Sequence, residues 1–320
     1  MTAATPESPG ALAGVVAVSP AMRDLLKVAT RLAEGRTPVL VQGESGTGKD
    51  LVAHWLHHQG PRRDFPLIKV HCPSIPAELL ESELFGHEAG AFTDAKHPKA
   101  GKIELAAGGT VFFDQVQDLT PNLQAKLLRV VEDCRFERLG GTRTLEVDVR
   151  FVAASSVDLR QAVSAGTFRQ DLYHRLSVVP LIVPPLRERR EDILPLADTF
   201  LARERARKAT PARAFARETA DALKGYNWPG NVRELRSVVE RAVLYTTGEV
   251  VLSPALPPHI LEQPSTLWAG RDRRPSLKEI EKEYIRYVLE QVAGSQTRAA
   301  AILGISRKAL WEKRRRYGIR

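Results

Sequence analysis

The sequence lacks the features that would place it in a membrane or in an oxidising compartment. It has only two cysteines, Cys72 and Cys134, which lie far apart and show no metal-ligand spacing. No hydrophobic run approaches the roughly twenty residues that span a bilayer, and the start of the chain does not resemble a signal peptide. We therefore expect a cytoplasmic protein with no membrane partner.

Acidic residues are scarce at the C-terminal end. Of the formal net charge of +9, residues 271–320 contribute +8, from 14 Lys and Arg against 6 Asp and Glu. The first 270 residues are close to neutral, and a chain of 320 residues is long enough for about two folded units. A basic end on a neutral body predicts a polyanion partner, bound either by an unstructured tail or by a folded DNA-binding unit.

Residues 43–50, Gly-Glu-Ser-Gly-Thr-Gly-Lys-Asp, form the most informative motif. They follow the apolar run 38–41 and precede a helical pattern over 51–58, which is the context of a phosphate-binding loop. The glycines allow backbone N–H groups to converge on one anion, and the lysine adds positive charge for the β- and γ-phosphates. A chance glycine turn is the alternative. We expect ATP to be bound by Gly43, Glu44, Ser45, Gly46, Thr47, Gly48, Lys49 and Asp50.

The segment 108–115 predicts the metal side of the same site. An apolar strand that ends in an acid places the carboxylate beside the phosphate loop, where Asp114 can hold Mg²⁺ through water. The alternative is an ordinary buried strand.

Strand-like and helix-like patterns alternate in the first part of the chain. The strand patterns are at 38–42, 67–71, 110–113, 149–154 and 178–183. This alternation predicts an α/β fold with a parallel sheet, flanked by helices, that binds ligands at the C-terminal ends of its strands. After Pro184-Pro185 the patterns are helical, at 189–207, 215–224, 231–246, 276–292, 296–303 and 306–317.

These patterns predict five segments. They are a disordered lead at 1–14, an α/β nucleotide-binding subdomain at 15–185, a helical lid subdomain at 186–252, a proline-containing linker at 253–275 and a small all-α unit at 276–320.

Several stretches resemble one family, the AAA+ transcription activators that act on RNA polymerase carrying sigma-54. Residues 81–88 lead into a loop similar to the one that grips the sigma factor, which implies a sigma contact at Gly90, Ala91, Phe92, Thr93, Asp94 and Ala95. The stretch 168–176 is similar to the segment whose two arginines, here Arg169 and Arg175, reach the nucleotide of a neighbouring subunit. On their own, these arginines could be solvated helix charges.

The resemblance implies an AAA+ fold, self-association into a ring, and sigma-54 RNA polymerase holoenzyme as a partner. Residues 228–236 resemble the sensor helix of the lid, in which we expect Asn231 to cap the helix and Arg233 to face the nucleotide. The likeness begins at about residue 15, and we expect no regulatory domain ahead of it.

The last three helical patterns resemble the helix-turn-helix of the nucleoid protein Fis. Residues 297–303 have the small-residue face that lets two helices cross closely, and 304–306 supply the turn. Early residues of the last helix would read base edges and later ones would hold phosphates. A solvated basic helix is the alternative. The implied DNA-binding residues are Arg298, Ser306, Arg307, Lys308, Trp311, Lys313, Arg314 and Arg315.

Four positions depart from the family pattern. Gln115 stands where the family has the glutamate that activates the attacking water, and an amide cannot accept a proton at neutral pH. His71 replaces the asparagine that, in the family, couples that glutamate to the bound nucleotide. Ser156 replaces the asparagine that helps to place the water. Asp94 replaces the second glycine of the sigma-contacting loop.

Three functions are compatible with these observations. The first is an ATP-driven, DNA-bound regulator that remodels sigma-54 polymerase. The second is a related protein that binds ATP and DNA but hardly hydrolyses, and acts as a repressor, a switch or a co-assembling subunit. The third is a protein-remodelling ATPase whose DNA-binding end only localises it.

Overall fold

The computed structural model describes residues 15–74, 76–93, 95–208, 210–261, 276–292 and 295–319. The predicted lead at 1–14, part of the predicted linker (262–275) and Asp94 lie outside these residues. The chain divides into two compact units after Pro257. In the described residues, no helix is both long and apolar enough to cross a bilayer.

The larger unit is built on a parallel five-stranded sheet, as the alternating patterns predict, and across it the strands lie in the order 67–71, 110–114, 150–155, 39–42 and 179–182. The strands are β1 (Val39–Gln42), β2 (Leu67–His71), β3 (Gly86–His87), β4 (Lys99–Ala100), β5 (Thr110–Asp114), β6 (Arg135–Glu137), β7 (Thr144–Glu146), β8 (Arg150–Ser155), β9 (Val179–Ile182), β10 (Ala214–Phe215) and β11 (Val250–Val251).

The helices of the larger unit surround the sheet or follow it, and three more helices build most of the smaller unit. They are α1 (Pro20–Ala33), α2 (Lys49–His58), α3 (Ala77–Phe85), α4 (Lys102–Leu105), α5 (Pro121–Asp133), α6 (Leu159–Ser164), α7 (Gln170–Leu176), α8 (Ile193–Lys208), α9 (Arg217–Gly225), α10 (Asn231–Leu244), α11 (Pro258–Leu261), α12 (Leu277–Gln291), α13 (Gln296–Ile302) and α14 (Arg307–Tyr317).

The two faces of the sheet bury separate cores because successive side chains of a strand point in opposite directions. On one face, Leu40 and Phe113 pack with residues of α3, α5 and α7. On the other face, Val41 and Phe112 pack with residues of α1 and α2. Burial on both faces explains why the central strands are almost continuously apolar.

The carboxyl ends of the strands meet at one edge of the sheet. There β1 runs into the phosphate loop (residues 43–50), and the parallel register sets His71 beside Asp114 and Asp114 beside Ala154. The polar residues that follow three different strands are therefore brought together beside the loop.

The lid follows the sheet and differs from the prediction in two details. In place of the first residues of the helix predicted at 189–207 there is a 3₁₀ turn (Arg190–Asp192), which follows another (Leu186–Glu188), and α8 starts at Ile193. A two-residue parallel pair, β10 and β11, was not predicted because it is too short to show a period. Helices α8 and α10 pack together, and Trp228 is fully buried.

The smaller unit contains the three predicted C-terminal helices around its own core. Ile285, Val288, Leu289, Ala299, Ala300, Leu310 and Tyr317 are its buried apolar residues. Gly304 has a φ of +67° in the turn, and the Ser306 hydroxyl accepts a hydrogen bond from the N–H of Ala309. This turn and cap are those that the sequence predicts for a helix-turn-helix.

Candidate nucleotide site

The phosphate loop curls around the ammonium group of its own lysine. Lys49 Nζ donates to the carbonyl oxygens of Gly43 (2.8 Å) and Glu44 (3.0 Å), at the first residue of α2. Gly46 has a φ of +78°, and a Cβ there would lie 2.4 Å from the carbonyl oxygen of Gly230. Burial lowers the pKa of Lys49 below its usual value. The helix start and this lysine form a cradle for an anion.

Two carboxylates and a lysine form the metal side of the site. Lys69 Nζ lies 2.6 Å from Asp50 Oδ2 and 3.0 Å from Asp114 Oδ2, and His71 Nδ1 lies 3.0 Å from the same Asp114 oxygen. Burial by itself lowers the pKa of Lys69, but the two carboxylates raise it above its usual value overall. Carboxylate oxygens are the ligands that Mg²⁺ prefers, and this pair already holds a cationic group, so the residues suit the metal.

A cavity of about 340 Å³ lies between the phosphate loop, the strand ends and the lid. Most of its lining was predicted from sequence, but the lid residues Phe200, Val232 and Arg236 were missed. An apolar helix position gives no signal that it faces a ligand, and Arg236, which pairs with Glu240 four residues on, has the pattern of a solvated helix charge. The lining residues are Ser45, Gly46, Gly48, Lys49, Asp50, His71, Asp114, Gln115, Ser156, Phe200, Val232, Arg233 and Arg236.

The three residues that depart from the family pattern near the phosphates all line this cavity. Gln115 has a φ of +59°, a left-handed conformation that is uncommon for a residue with a side chain. His71 is hydrogen-bonded to Asp114, and Ser156 Oγ accepts a hydrogen bond of 3.1 Å from Gln117 Nε2. Gln117 was not singled out from the sequence.

Hydrogen bonds tie the lid directly to the phosphate loop. Arg187 donates to both carboxylate oxygens of Glu44 (2.6 and 2.8 Å), and Arg233 donates to Ser45 Oγ (2.8 Å). The Asn231 amide nitrogen donates to Glu44 Oε2 (3.1 Å) and to the Ser45 carbonyl (3.0 Å), while its oxygen accepts from the N–H of Leu186. We call these contacts of Glu44, Arg187 and Asn231 the lid latch.

The latch corrects the expectation that Asn231 caps α10. The N-cap residue is Gly230, whose N–H donates instead to Glu234 Oε2 at 2.8 Å. Asn231 has a φ of +52°, and its side chain is turned back toward the phosphate loop. The sequence showed only the local pattern of a helix cap, whereas the Asn231 amide bonds to Glu44 and Ser45, which are distant in the sequence.

The latch also sets the ionisation of Glu44. Arg187, and after it Asn231, lower the pKa of Glu44 to about 2 by hydrogen bonding to its carboxylate. The folded-state pKa lies below the usual 4.5, so this pair stabilises the fold above pH 4.5 and loses its contribution as the pH falls toward about 2. The latch is therefore fully formed at neutral pH.

Replacing Asn231 with alanine should lower the free energy of unfolding by about 2–4 kcal/mol, because the buried N–H of Leu186 and the partly buried carbonyl of Ser45 lose their hydrogen bonds to this fully buried side chain. Chemical denaturation measures this change. Asn122→Ala is the control, since Asn122 is exposed and should change stability by less than about 0.5 kcal/mol. Equal stability of the two variants would contradict the assigned contacts.

Arg169 and Arg175 lie on the surface and are not among the described residues that line the cavity. Arg169 pairs with Asp171 at 2.7 Å.

Comparisons with known proteins agree with this geometry. The model of the sigma-54 interaction domain matches residues 15–182, the AAA+ ATPase lid domain matches 187–270, and the Fis family of bacterial regulatory proteins matches 276–317. The chain belongs to the sigma-54 activator family. The predicted resemblance and the predicted fold class are thereby confirmed.

The relatives and structures to which the chain is similar span nearly all of it. It is 47% identical to the transcriptional regulatory protein ZraR of Klebsiella oxytoca over 308 residues, which cover 96% of this chain and 70% of ZraR. It is 44% identical to the regulatory protein AtoC of Escherichia coli K12, and the match covers 94% of this chain and 67% of AtoC. The crystal structure of NtrX from Brucella abortus in complex with ATP has a TM-score of 0.73 at 34% identity, and the match covers 95% of this chain and 70% of the NtrX chain.

The loop that the family resemblance assigns to sigma contact is folded back in this structure. Gly90 N–H donates to the carbonyl of Ala95 (2.8 Å), and the Phe92 ring lies edge-on to the His87 ring with 5.0 Å between centroids. Phe92 and Thr93 are exposed at the tip. Asp94 lies outside the described residues.

The helix-turn-helix presents basic side chains on α14. Arg307 and Lys308 are exposed at its start, and the Arg315 guanidinium lies 5.6 Å from the ring centre of the exposed Trp311. Lys313 instead pairs with Glu281 inside the unit. The start of the helix is therefore open to solvent, whereas Lys313 is only partly exposed.

Proposed function

We propose that this protein binds ATP with Mg²⁺ between its phosphate loop and its lid, assembles with further copies of itself, and acts from DNA on sigma-54 RNA polymerase. The observation that supports this most is the cavity where Lys49, Asp114 and Arg233 converge. The similar NtrX structure, which contains ATP, supports the same choice of ligand.

The residues of the site take distinct roles in this proposal. The N–H groups of the phosphate loop and Lys49 hold the β- and γ-phosphates, while Asp114 holds the metal and Arg233 contacts the nucleotide from the lid. Bound Mg²⁺ neutralises negative charge on the phosphates. The latch keeps the phosphate loop in a fixed relation to the lid, so the cradle does not have to be formed anew at each binding event.

The proposed assembly rests on Arg169 and Arg175. An arginine supplied from a neighbouring subunit neutralises charge that develops on the γ-phosphate, so that hydrolysis requires assembly. Both arginines are exposed and away from their own cavity, as this role requires.

ATP turnover per subunit should rise with protein concentration, and Arg175→Ala should lower turnover about a hundredfold or more while changing ATP affinity far less. Phosphate release and equilibrium ATP binding are measured over a range of protein concentrations. Arg175→Ala is introduced both into the unmodified chain and into the Gln115→Glu variant. Arg63→Ala, at an exposed arginine beside Asp64, is the control and should behave like the parent. Turnover per subunit that stays constant down to the monomer would contradict a shared site.

A second function is favoured by the three substituted positions. Hydrolysis requires a group that accepts the proton of the attacking water, and the amide of Gln115 cannot do so. The His71 ring is hydrogen-bonded to Asp114, and the Ser156 hydroxyl is hydrogen-bonded to Gln117. On this view the protein binds ATP and DNA but turns ATP over slowly, and works as a nucleotide-dependent switch or as a co-assembling subunit.

A further inference from the structure

Lys69 lies on β2, an edge strand of the sheet, where its partly exposed side chain borders the metal side of the site. It is in register with Phe112 of β5, two residues before His71, which is in register with Asp114. Its ammonium group lies 5.4 Å from the ring centre of Phe112. Because side chains two positions apart share one face of a strand, Lys69 and His71 both face the end of β5.

The ammonium group of Lys69 joins two carboxylates that come from different elements. Asp50 is at the start of α2 and Asp114 is at the end of β5, and Lys69 Nζ lies 2.6 Å and 3.0 Å from their Oδ2 atoms. The Asp114 side chain is only 14% exposed. Two neighbouring carboxylates repel each other, so a cation between them is needed to keep them close.

The same oxygen cannot serve a lysine and a metal fully at once. Asp114 Oδ2 already accepts contacts from Lys69 and from His71. A divalent cation at Asp114, whether bound directly or through water, needs this carboxylate and is repelled by an ammonium group at hydrogen-bond distance from it.

We propose that Lys69 is a built-in cation that holds Asp50 and Asp114 together before nucleotide binds and has to leave Asp114 before a divalent metal can bind there. The inference rests on the proposed metal site at Asp114. Lys69 is then a positioning residue, which keeps the two carboxylates ordered and weakens their affinity for a metal that binds without nucleotide.

The inference is tested with Mn²⁺ as a paramagnetic probe of the nucleotide-free, full-length protein. Free Mn²⁺ is measured by electron paramagnetic resonance during titration of the unmodified protein, Lys69→Met and Lys69→Arg. Lys69→Met keeps the length of the side chain but removes its charge, so we expect Mn²⁺ to bind about tenfold more tightly or better. Lys69→Arg keeps the charge and should stay near the parent.

Two further variants show where the gained affinity comes from. Lys102→Met removes a lysine that lies 4.0 Å from Glu83 on a different part of the fold, and should leave Mn²⁺ binding unchanged. Adding Asp114→Asn to Lys69→Met should abolish the gain, because the carboxylate that binds the metal is then lost. A gain of affinity cannot come from unfolding, so a folding defect cannot imitate the expected result.

Failure of this inference can be told apart from failure of the proposed function. If Lys69→Met binds Mn²⁺ no more tightly than the parent, while the parent still binds ATP in the presence of Mg²⁺, the role of Lys69 is wrong and the nucleotide site stands. If the parent binds no ATP, the proposed function is wrong. If Lys69→Arg binds Mn²⁺ as tightly as Lys69→Met, the charge of Lys69 does not compete with the metal and the inference is overturned.

Discussion

Replacing Gln115 with glutamate should raise steady-state ATP turnover at least about tenfold. A general base contributes about a hundredfold to ten-thousandfold in rate, and the carboxylate would restore a proton acceptor at a position that lines the cavity. The gain should fall short of the full value because His71 and Ser156 stay as they are. Phosphate release is measured at saturating ATP, together with equilibrium ATP binding, which should change little.

Lys49→Ala is the contrasting variant in the same assay. It removes the positive charge at the centre of the phosphate loop, so ATP binding itself should be lost, and turnover with it. Rapid turnover in the unmodified chain that Gln115→Glu does not increase would contradict slow hydrolysis. The protein would then be an efficient motor whose water is activated by some other residue.

Removal of residues 276–320 should abolish sequence-specific DNA binding and leave ATP binding intact. The smaller unit has its own core and carries most of the net charge, and specific sites bind about a thousandfold or more tighter than other DNA. The probe is a DNA site selected from random sequence by the full-length protein, with binding measured by fluorescence anisotropy. The affinity of the full-length protein should also fall steeply as salt is added, because phosphate contacts release counterions.

A point variant within the smaller unit tests which face of α14 meets DNA. Arg307 is exposed at the start of α14, whereas Lys313 pairs with Glu281. Arg307→Ala should therefore weaken binding to the selected site more than Lys313→Ala does. If the truncated chain holds the selected site as tightly as the full-length protein, the assignment of DNA binding to this unit is wrong.

The latch gives the lid a direct influence on the nucleotide site. Glu44 belongs to the phosphate loop, Arg187 and Asn231 belong to the lid, and the three are joined by hydrogen bonds. The peptide of Gly46 is also held, since its carbonyl accepts a hydrogen bond from Val232 N–H at 3.0 Å. Any movement of the lid must therefore break these bonds or carry the phosphate loop with it.

The sequence by itself determined the order of the main elements and most of the residues that line the cavity. The five core strands begin and end within two residues of the apolar runs that predict them. The signal is clearest for the three central strands, because burial on both faces requires continuous apolar residues. The glycine spacing around Lys49 and the acid at the end of β5 were also visible in the sequence. Each is a local pattern that is typical of phosphate or metal binding. The small hairpins β3–β4 and β6–β7 were missed because strands of two or three residues show no period.

Only the tertiary structure decided what the site residues contact. Arg187 meets Glu44 across 143 positions, and Arg233 meets Ser45 across 188, contacts that no local pattern encodes. Lys69 reads in the sequence as an interruption of an apolar strand, yet the order of β2 and β5 in the sheet sets it between two carboxylates. Asn231 has the sequence pattern of a helix cap, because the residues that its amide contacts, Glu44 and Ser45, are far away along the chain. The strength of such a hydrogen bond or ion pair depends on distance and burial in space, and these are set by how the strands and the lid pack.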